Sequence, residues 1–303
     1  MTYLKNPVIL YNAKILLFGE HTVIKGSQAL AMPINDFSGE WKYSAKKSEF
    51  EKLQYDLPLF QRYLEKQGLS KWINTADLDK GLQQGLYFEA NIPTGYGVGS
   101  SGALCAAILD KFGSSTKKLS LLALKNIFAQ MESYFHGTSS GTDPLVSYLN
   151  YPILLGSEIQ KVALKKVDRN GDSAIFILDT GVKREAGSYI QEFLERCKDD
   201  FYDKKCQSEL APLVDDAIHT FLQGEWDLLF STMHELSLFQ YRYFDFMILE
   251  KFKNIWLEGL SSSNFKLKIC GAGGGGFLLG ISTNFEQTQQ TLSDYKLLPI
   301  YTF

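Results

Sequence analysis

Four cysteines in 303 residues, Cys105, Cys197, Cys206 and Cys270, lie far apart except for one pair nine positions apart. There is no C-x-x-C and no histidine partner at metal-binding spacing, so a zinc ribbon or finger is excluded and the four read as reduced, mostly buried thiols. No run of about 18 apolar residues occurs, and the first residues lack a basic stretch followed by an apolar core. Neither a membrane span nor a secretory leader is expected, and a cytoplasmic location follows as the expectation. Charge of one sign is lacking as well, because 31 Lys and Arg face 34 Asp and Glu for a formal net charge of -3. That balance provides no field for nucleic acid or an anionic membrane, so the expected partners are small molecules held at local sites. Repeats and low-complexity tracts are missing too. A hydrophobic content of 45% with 21% charged residues describes a globular chain long enough for one or two cores.

Glycine is concentrated where it carries information. The stretch Asn91-Ile-Pro-Thr-Gly-Tyr-Gly-Val-Gly-Ser-Ser-Gly-Ala-Leu-Cys-Ala-Ala-Ile108 runs from a strand through glycines into a helix of small residues. Gly95, Gly97 and Gly99 remove side chains that would stop backbone N–H groups from converging on an anion. Ser100 and Ser101 open the helix, where the free N–H groups and the dipole favour negative charge. The plain alternative is a turn that only reverses the chain. Gly97 to Gly102 also spells G-x-G-x-x-G, the dinucleotide fingerprint, which requires a second strand and an acidic residue about 20 positions on. Here the segment after the first helix, Lys118 to Phe135, reads as helix again. No lysine follows the last glycine, so the G-x-x-x-x-G-K-[ST] loop is excluded as well.

In chain order, Val8 to Phe18 reads as a strand with Lys14 in its middle, ending in the polar turn Gly19-Glu20-His21-Thr22-Val23-Ile24-Lys25-Gly26. Ala29 to Ile34 and Glu40 to Ala45 read as two strands. Phe50 to Gln67 is amphipathic, with Leu53, Leu57, Phe60, Tyr63 and Leu64 on one face and Pro58 expected to interrupt or restart it. Leu86 to Ile92 is the strand that feeds the glycine loop. The helix from Lys118 carries a core stripe of Leu121, Leu124, Phe128, Met131 and Phe135, with Glu132 and His136 beside it. Next comes Gly137-Thr-Ser-Ser-Gly-Thr-Asp143, where Asp143 is either an N-cap or a general base. Tyr151 to Leu155 and Val162 to Leu164 read as strands, Lys165 to Asp172 as a surface turn, and Ala174 to Leu178 as a strand leading to Asp179-Thr180. Helices are predicted over 185–204, 213–222, 226–236 and 244–260. Gly271-Ala-Gly-Gly-Gly-Gly276 between two apolar strands implies a ligand or the first glycine loop close to that backbone. A polar helix over 282–293 and a strand over 297–303 end the chain. Strands, helices and strands again suggest an α+β fold in two layers.

Lys14-Ile-Leu-Leu-Phe-Gly-Glu-His21, Pro93-Thr-Gly-Tyr-Gly-Val-Gly-Ser-Ser101 and Gly271 to Gly276 together resemble the three motifs of the GHMP kinases, in order and in spacing. Within that superfamily, G-E-H-x-V-x-x-G at residues 19–26 and Glu132 through His136 to Asp143 look most like the mevalonate kinases. The resemblance covers about residues 8–280. It implies a ribosomal-S5-like amino-terminal domain over 1–170, binding ATP, and a ferredoxin-like carboxy-terminal domain over 171–303. The implied reaction is transfer of the γ-phosphoryl group of ATP to an alcohol, with mevalonate first and phosphomevalonate, a sugar or homoserine as alternatives. Other classes left open are a non-catalytic GHMP-fold binding protein and a nicotinamide oxidoreductase built on the G-x-G-x-x-G. Carried over residue by residue, Pro93, Gly95, Gly97, Val98, Gly99, Ser100, Ser101 and Gly102 would bind the nucleotide, and Ser101 (or Ser100) with Glu132 would hold Mg²⁺ by oxygen ligands. Asp143 and Lys14 match catalytic positions. Glu20, His21, His136, Thr180, Gly273 and Gly274 match the substrate side, and a homodimer is among the expectations. The family's Ala-Pro-Gly-Lys is Tyr11-Asn-Ala-Lys14 here, and the residue after the paired serines is Gly102 in place of alanine. Leu236 to Asp245 is bulky and aromatic where the family carries smaller residues near the acceptor.

Overall fold

The computed structural model describes residues 8–44, 56–114, 116–165, 171–184 and 186–303. Leu53, residue 185 at the predicted start of a helix, and 166–170 of the predicted surface turn fall outside them. Two compact units emerge. One consists of Met1–Lys14, Pro33–Pro93 and Val98–Tyr151, the other of Ile15–Met32, Thr94–Gly97 and Pro152–Phe303. Two long strands, β1 (Tyr11–Phe18) and β2 (Ala29–Tyr43), run from one unit into the other.

In the first unit, β2 pairs antiparallel with β3 (Leu86–Ala90), with Gly39 opposite Ala90 and Tyr43 opposite Leu86. The two strands predicted over 29–34 and 40–45 are therefore one, because the polar residues between them sit at exposed or half-buried positions of a continuous strand. Helix α1 (Leu57–Lys66) begins with Asp56 accepting from the Leu59 N–H at 3.0 Å, and Pro58 lies in the first turn. Proline is tolerated there because that turn's N–H groups have no intrahelical acceptor, so Pro58 starts the helix and does not interrupt it. After α2 (Thr75–Gln83) come α3 (Ser100–Phe112), α4 (Leu121–His136) and α5 (Thr142–Leu149). Ala103 to Leu109 of α3 are all buried, as its run of small and apolar residues requires. On α4, Leu124, Ile127, Phe128 and Met131 form the buried face, and Glu132 is buried with them.

In the second unit, Ala29–Ala31 of β2 pair with β4 (Ile153–Leu155), which turns back as β5 (Ile159–Lys161). The strand predicted over 162–164 thus lies slightly earlier in the chain. A separate four-stranded antiparallel sheet contains β6 (Ala174–Asp179), β7 (Phe265–Ile269), β8 (Phe277–Ser282) and β9 (Leu297–Thr302) in the spatial order β7-β8-β6-β9. Its chain order of strand, helices, two strands, helix and strand is the ferredoxin-like pattern expected for this part of the chain. Between β6 and β7 lie α6 (Ala186–Arg196), α7 (Asp200–Lys205), α8 (Ala211–Gln223), α9 (Trp226–Tyr243) and α10 (Lys253–Ser261), and α11 (Phe285–Thr291) precedes β9. The helix predicted over 185–204 is interrupted at Cys197–Asp199, where Asp199 caps α7 by accepting from the Tyr202 N–H at 2.9 Å. The apolar stripe of α9 continues beyond residue 236 through Phe239, which lengthens that helix to Tyr243.

Candidate active site

Lys14 stands on β1 with its backbone N–H bonded to the Val98 carbonyl at 2.9 Å, so strand and glycine loop are fastened beside it. Its ammonium lies 2.9 Å from Asp143 Oδ1. Asp143 is not the N-cap of α5. Gly141 is, in the left-handed conformation, and Asp143 follows in the first turn, where the helix dipole favours a carboxylate. Two close approaches fix that turn. A Cβ at Gly141 would fall 2.1 Å from the Lys125 carbonyl of α4, and one at Gly102 would fall 2.9 Å from the backbone of Asp143 and Pro144. The missing alanine methyl at Gly102 thus allows α3 and the start of α5 to touch.

Glu132 faces the same region from α4. Ser101 Oγ donates to its Oε1 at 3.1 Å, Ser139 Oγ donates to Oε2, and His136 Nε2 is 2.9 Å from Ser101 Oγ. His136, expected among the substrate-side residues, is therefore placed with Ser101 and Glu132. Burial pushes the Glu132 carboxyl up to about 7, and the Asp143 charge adds to this against the opposing hydrogen bonds from Ser139 and Ser101 and the Lys14 charge. Such a carboxyl is poised to exchange its proton for a cation. Hydroxyl and carboxylate oxygens suit Mg²⁺, which takes few protein ligands beside water and phosphate. Among the described residues, no group of three or more His, Cys, Asp or Glu is arranged to hold a metal unaided. Helix α3 starts at Gly99 (φ 76°) with no side-chain cap, which leaves its first N–H groups available to an anion. Of the two serines, Ser101 is the buried one bonded to Glu132, and Ser100 is half-buried. Pro93, also half-buried, ends the segment that follows β3, and Val98 is buried.

In the second unit, two glycine segments are packed directly on one another. A Cβ at Gly276 would lie 2.6 Å from the Tyr96 carbonyl, and the Tyr96 and Phe277 rings are 5.0 Å apart. Gly271, Gly273, Gly274, Gly275 and Gly276 all have positive φ, so the glycine run serves close approach and backbone shape, as the sequence implied. Arg184 ties the segments together. Its N–H donates to the Gly95 carbonyl at 2.9 Å, and its guanidinium covers Gly97 and Gly271, where a Cβ would come within 1.9 Å and 2.4 Å of it. Gly95 meets the stem of Lys183. Thr180, expected on the substrate side, donates its hydroxyl proton to the Gly276 carbonyl at 2.7 Å and so braces the loop. Gly273 is packed on Met247 and Gly274 on the ring of Tyr189.

Glu20 and His21 are also in the second unit. Glu20 is buried and paired with Lys268 of β7 at 2.5 Å, with side-chain exposures of 2% and 1%. Burial raises the Glu20 carboxyl, opposed by the Lys268 charge and hydrogen bond. His21 has φ 64°, a costly left-handed conformation for a side-chain-bearing residue. Its ring lies 4.9 Å from Phe193 and 5.7 Å from Phe244 and leaves Nε2 buried without a hydrogen-bond partner. Burial holds it down to about 4, helped by the Lys268 and Arg184 charges, so it is neutral at pH 7. The aromatic segment is thereby explained in part: Phe244 packs on His21, and Gln240 accepts from the Ile269 N–H at 2.7 Å. Lys268 was not singled out from sequence. Its signal is the alternation Phe265-Lys-Leu-Lys-Ile269, two lysines on one face of a strand that is buried throughout.

The family described as GHMP kinases N terminal domain matches residues 61–151. A curated mevalonate kinase from Pyrococcus abyssi is 31% identical over 162 residues, 45% of this chain and 47% of the relative, so the match spans about half of the relative's length. The crystal structure of L. major mevalonate kinase in complex with R-mevalonate superposes with a TM-score of 0.66 at 15% identity, covering 95% of this chain and 91% of that one. Streptococcus pneumoniae phosphomevalonate kinase gives a TM-score of 0.64 at 15% identity over 98% and 99% of the two chains. At such identities the structures establish the fold. Residues 61–151 thus match the GHMP kinase N-terminal domain family, and the fold of the whole chain is similar to that of mevalonate and phosphomevalonate kinases.

Proposed function

We propose that this chain transfers the γ-phosphoryl group of ATP to an alcohol, with mevalonate, giving 5-phosphomevalonate, as the first acceptor to test. The observation that carries the reading is the Lys14–Asp143 pair at 2.9 Å, in the same unit as the uncapped start of α3 and the Ser101–Glu132 contact. Phosphoryl transfer demands positioning and neutralisation of charge more than covalent chemistry. The Asp143 carboxylate would orient the acceptor hydroxyl and take its proton, while Lys14 would stabilise the alkoxide and the moving phosphoryl oxygens. The N–H groups opening α3 would hold phosphate oxygens. Ser101 and Glu132 would hold Mg²⁺, which when bound neutralises phosphate charge. A division into an ATP-binding domain, residues 1–170, and a carboxy-terminal domain, residues 171–303, belongs to the same proposal.

Phosphomevalonate, a sugar and homoserine are the other acceptors that stay open. ADP release measured with mevalonate, phosphomevalonate, galactose and homoserine separates these readings. Turnover with mevalonate supports the first, and turnover confined to another alcohol replaces it. Asp143→Asn is expected to lower kcat by about 10²- to 10⁴-fold while ATP still binds. Unchanged kcat in that variant would sink the assigned mechanism. Failure of every acceptor, with tight Mg-ATP binding, would leave a non-catalytic GHMP-fold protein.

A further inference from the structure

Helix α5 is tied to β1 at both of its ends. Near its start, Asp143 Oδ1 meets the Lys14 ammonium at 2.9 Å. At its close, Asn150 caps the helix in the left-handed conformation, with φ 44°, and its Oδ1 accepts from Asn12 Nδ2 at 2.8 Å. Asn12 and Lys14 are two residues apart on β1, so their side chains leave the strand on the same face. The other proton of the Asn12 amide goes to Asn35 Oδ1 of β2 at 2.9 Å, which fixes the side chain and holds β1 to the next strand. Asn12 is buried, where a lost hydrogen-bond partner costs more than at the surface. All five residues belong to the first unit. Asn12 stands where the Ala-Pro-Gly-Lys of the GHMP motif carries proline, whose ring has no proton to donate, so the contact comes from this chain's own sequence.

We propose that Asn12 is a positioning residue for the Lys14–Asp143 pair: through Asn150 it sets where α5 lies along β1, and thereby where the Asp143 carboxylate stands against the Lys14 ammonium. Held by one ion pair near its start, the helix could pivot about that contact. From Asp143 to Asn150 it runs roughly 10 Å, at about 1.5 Å per residue, and a second anchor at that distance removes the pivot. The left-handed Asn150 is where the helix stops, so its side chain ties down a helix end and not a loop. The Asn35 bond acts differently, because it joins two strands without touching α5. The inference rests on the reading of Lys14 and Asp143 as the groups that handle the acceptor hydroxyl and the moving phosphoryl group, chemistry in which a misplacement of about 1 Å costs on the order of 10²-fold.

The test compares the full chain with variants on either side of the Asn12 amide. Asn12→Ala and Asn150→Gly remove the brace, and glycine at a left-handed cap deletes the side chain without straining the backbone. Asn35→Ala is the control, since it removes a bond of similar length from the same amide but leaves α5 tied. With the acceptor that the wild type turns over, Asn12→Ala and Asn150→Gly are each expected to lower kcat by about ten-fold and to change the Km for ATP by less than about two-fold. Combining them is expected to cost no more than the worse of the two alone. Asn35→Ala is expected to lower the melting temperature and to leave kcat near the wild-type value. Wild-type kcat in Asn150→Gly, or an equal loss in Asn35→Ala, would overturn the assignment. A second readout needs no turnover: the coupling between Lys14→Met and Asp143→Asn in urea denaturation should shrink when Asn150→Gly is added. If no acceptor is turned over and the coupling still shrinks, the kinase reading fails and the brace stands. Coupling of the same size with and without Asn150→Gly overturns the brace.

Discussion

Glu132 exchanges its proton near neutral pH because α4 buries it and Asp143 repels its charge, while two serine hydroxyls and Lys14 only partly offset that penalty. Its carboxyl is raised in the folded state, so the folded protein holds this proton more tightly than the unfolded one. The stability this contributes is fully present below the unfolded value of 4.5 and is lost as pH rises through about 7. A shift of this size corresponds to roughly 3 kcal/mol. Glu132→Gln should remove the fall, so the unfolding free energy of the variant relative to the wild type should rise between pH 5 and pH 8 by about that amount. His21, held low, works in the opposite direction and is common to both proteins. Identical pH profiles in urea denaturation would rule out the assigned ionisation. At this scale Lys14, Glu132 and Asp143 were legible as motif residues, whereas Lys268 was not. A lysine in mid-strand reads as solvated until the partner that lets it be buried, Glu20, is found 248 residues away.

At the scale of elements, the start of α5 depends on α3 more than on its own sequence. Gly102 permits the contact with Asp143 and Pro144, and Gly141 permits the contact with α4. Gly102→Ala would press a methyl against backbone that has no rotamer to yield, an overpacking of about 1–3 kcal/mol. The expected outcome is a lower melting temperature and a lower kcat, with the Km for ATP changed less, since Asp143 moves relative to the acceptor. A variant with wild-type kcat and stability would show that the turn is not held there. Sequence periodicity identified α4 and the strand before the glycine loop well, because one buried face repeats along each. It divided β2 in two, since Asp36 to Ser38 look like a turn although Asn91 Nδ2 and Oδ1 bond to the Asp36 carbonyl and the Ser38 N–H at 3.2 Å and 2.7 Å. Side chains from elsewhere satisfy that backbone, and no local pattern reports them.

For the whole molecule, burial of charge is the decisive question. The Glu20–Lys268 pair joins the end of β1 to β7 inside the second unit, with both side chains almost wholly out of water. Removing one partner leaves the other buried and unpaired, at a cost of about 3–5 kcal/mol. Lysine-to-methionine at 268 and Glu20→Gln alone are each expected to destabilise by that order in chemical denaturation, and the double variant by less than the sum. Additive losses would mean that the two groups do not act as a pair. Helices long and apolar enough to cross a membrane are lacking among the described residues.

Local chemistry and spacing by themselves determined the two glycine loops, the helix that opens at Ser100 and the α+β character, because each rests on a short segment whose residue types admit few alternatives, whereas Lys14, Glu132 and Asp143 stood out only through the resemblance of the combined motifs. Only the tertiary structure decided that His136 bonds Ser101, that Thr180 braces Gly276, that Arg184 covers Gly97 and Gly271, and that Glu20 is spent on Lys268. Those are pairings between residues far apart in the chain. Which donor meets which acceptor is settled by burial after the elements pack, since a polar group removed from water must find a partner wherever the fold supplies one.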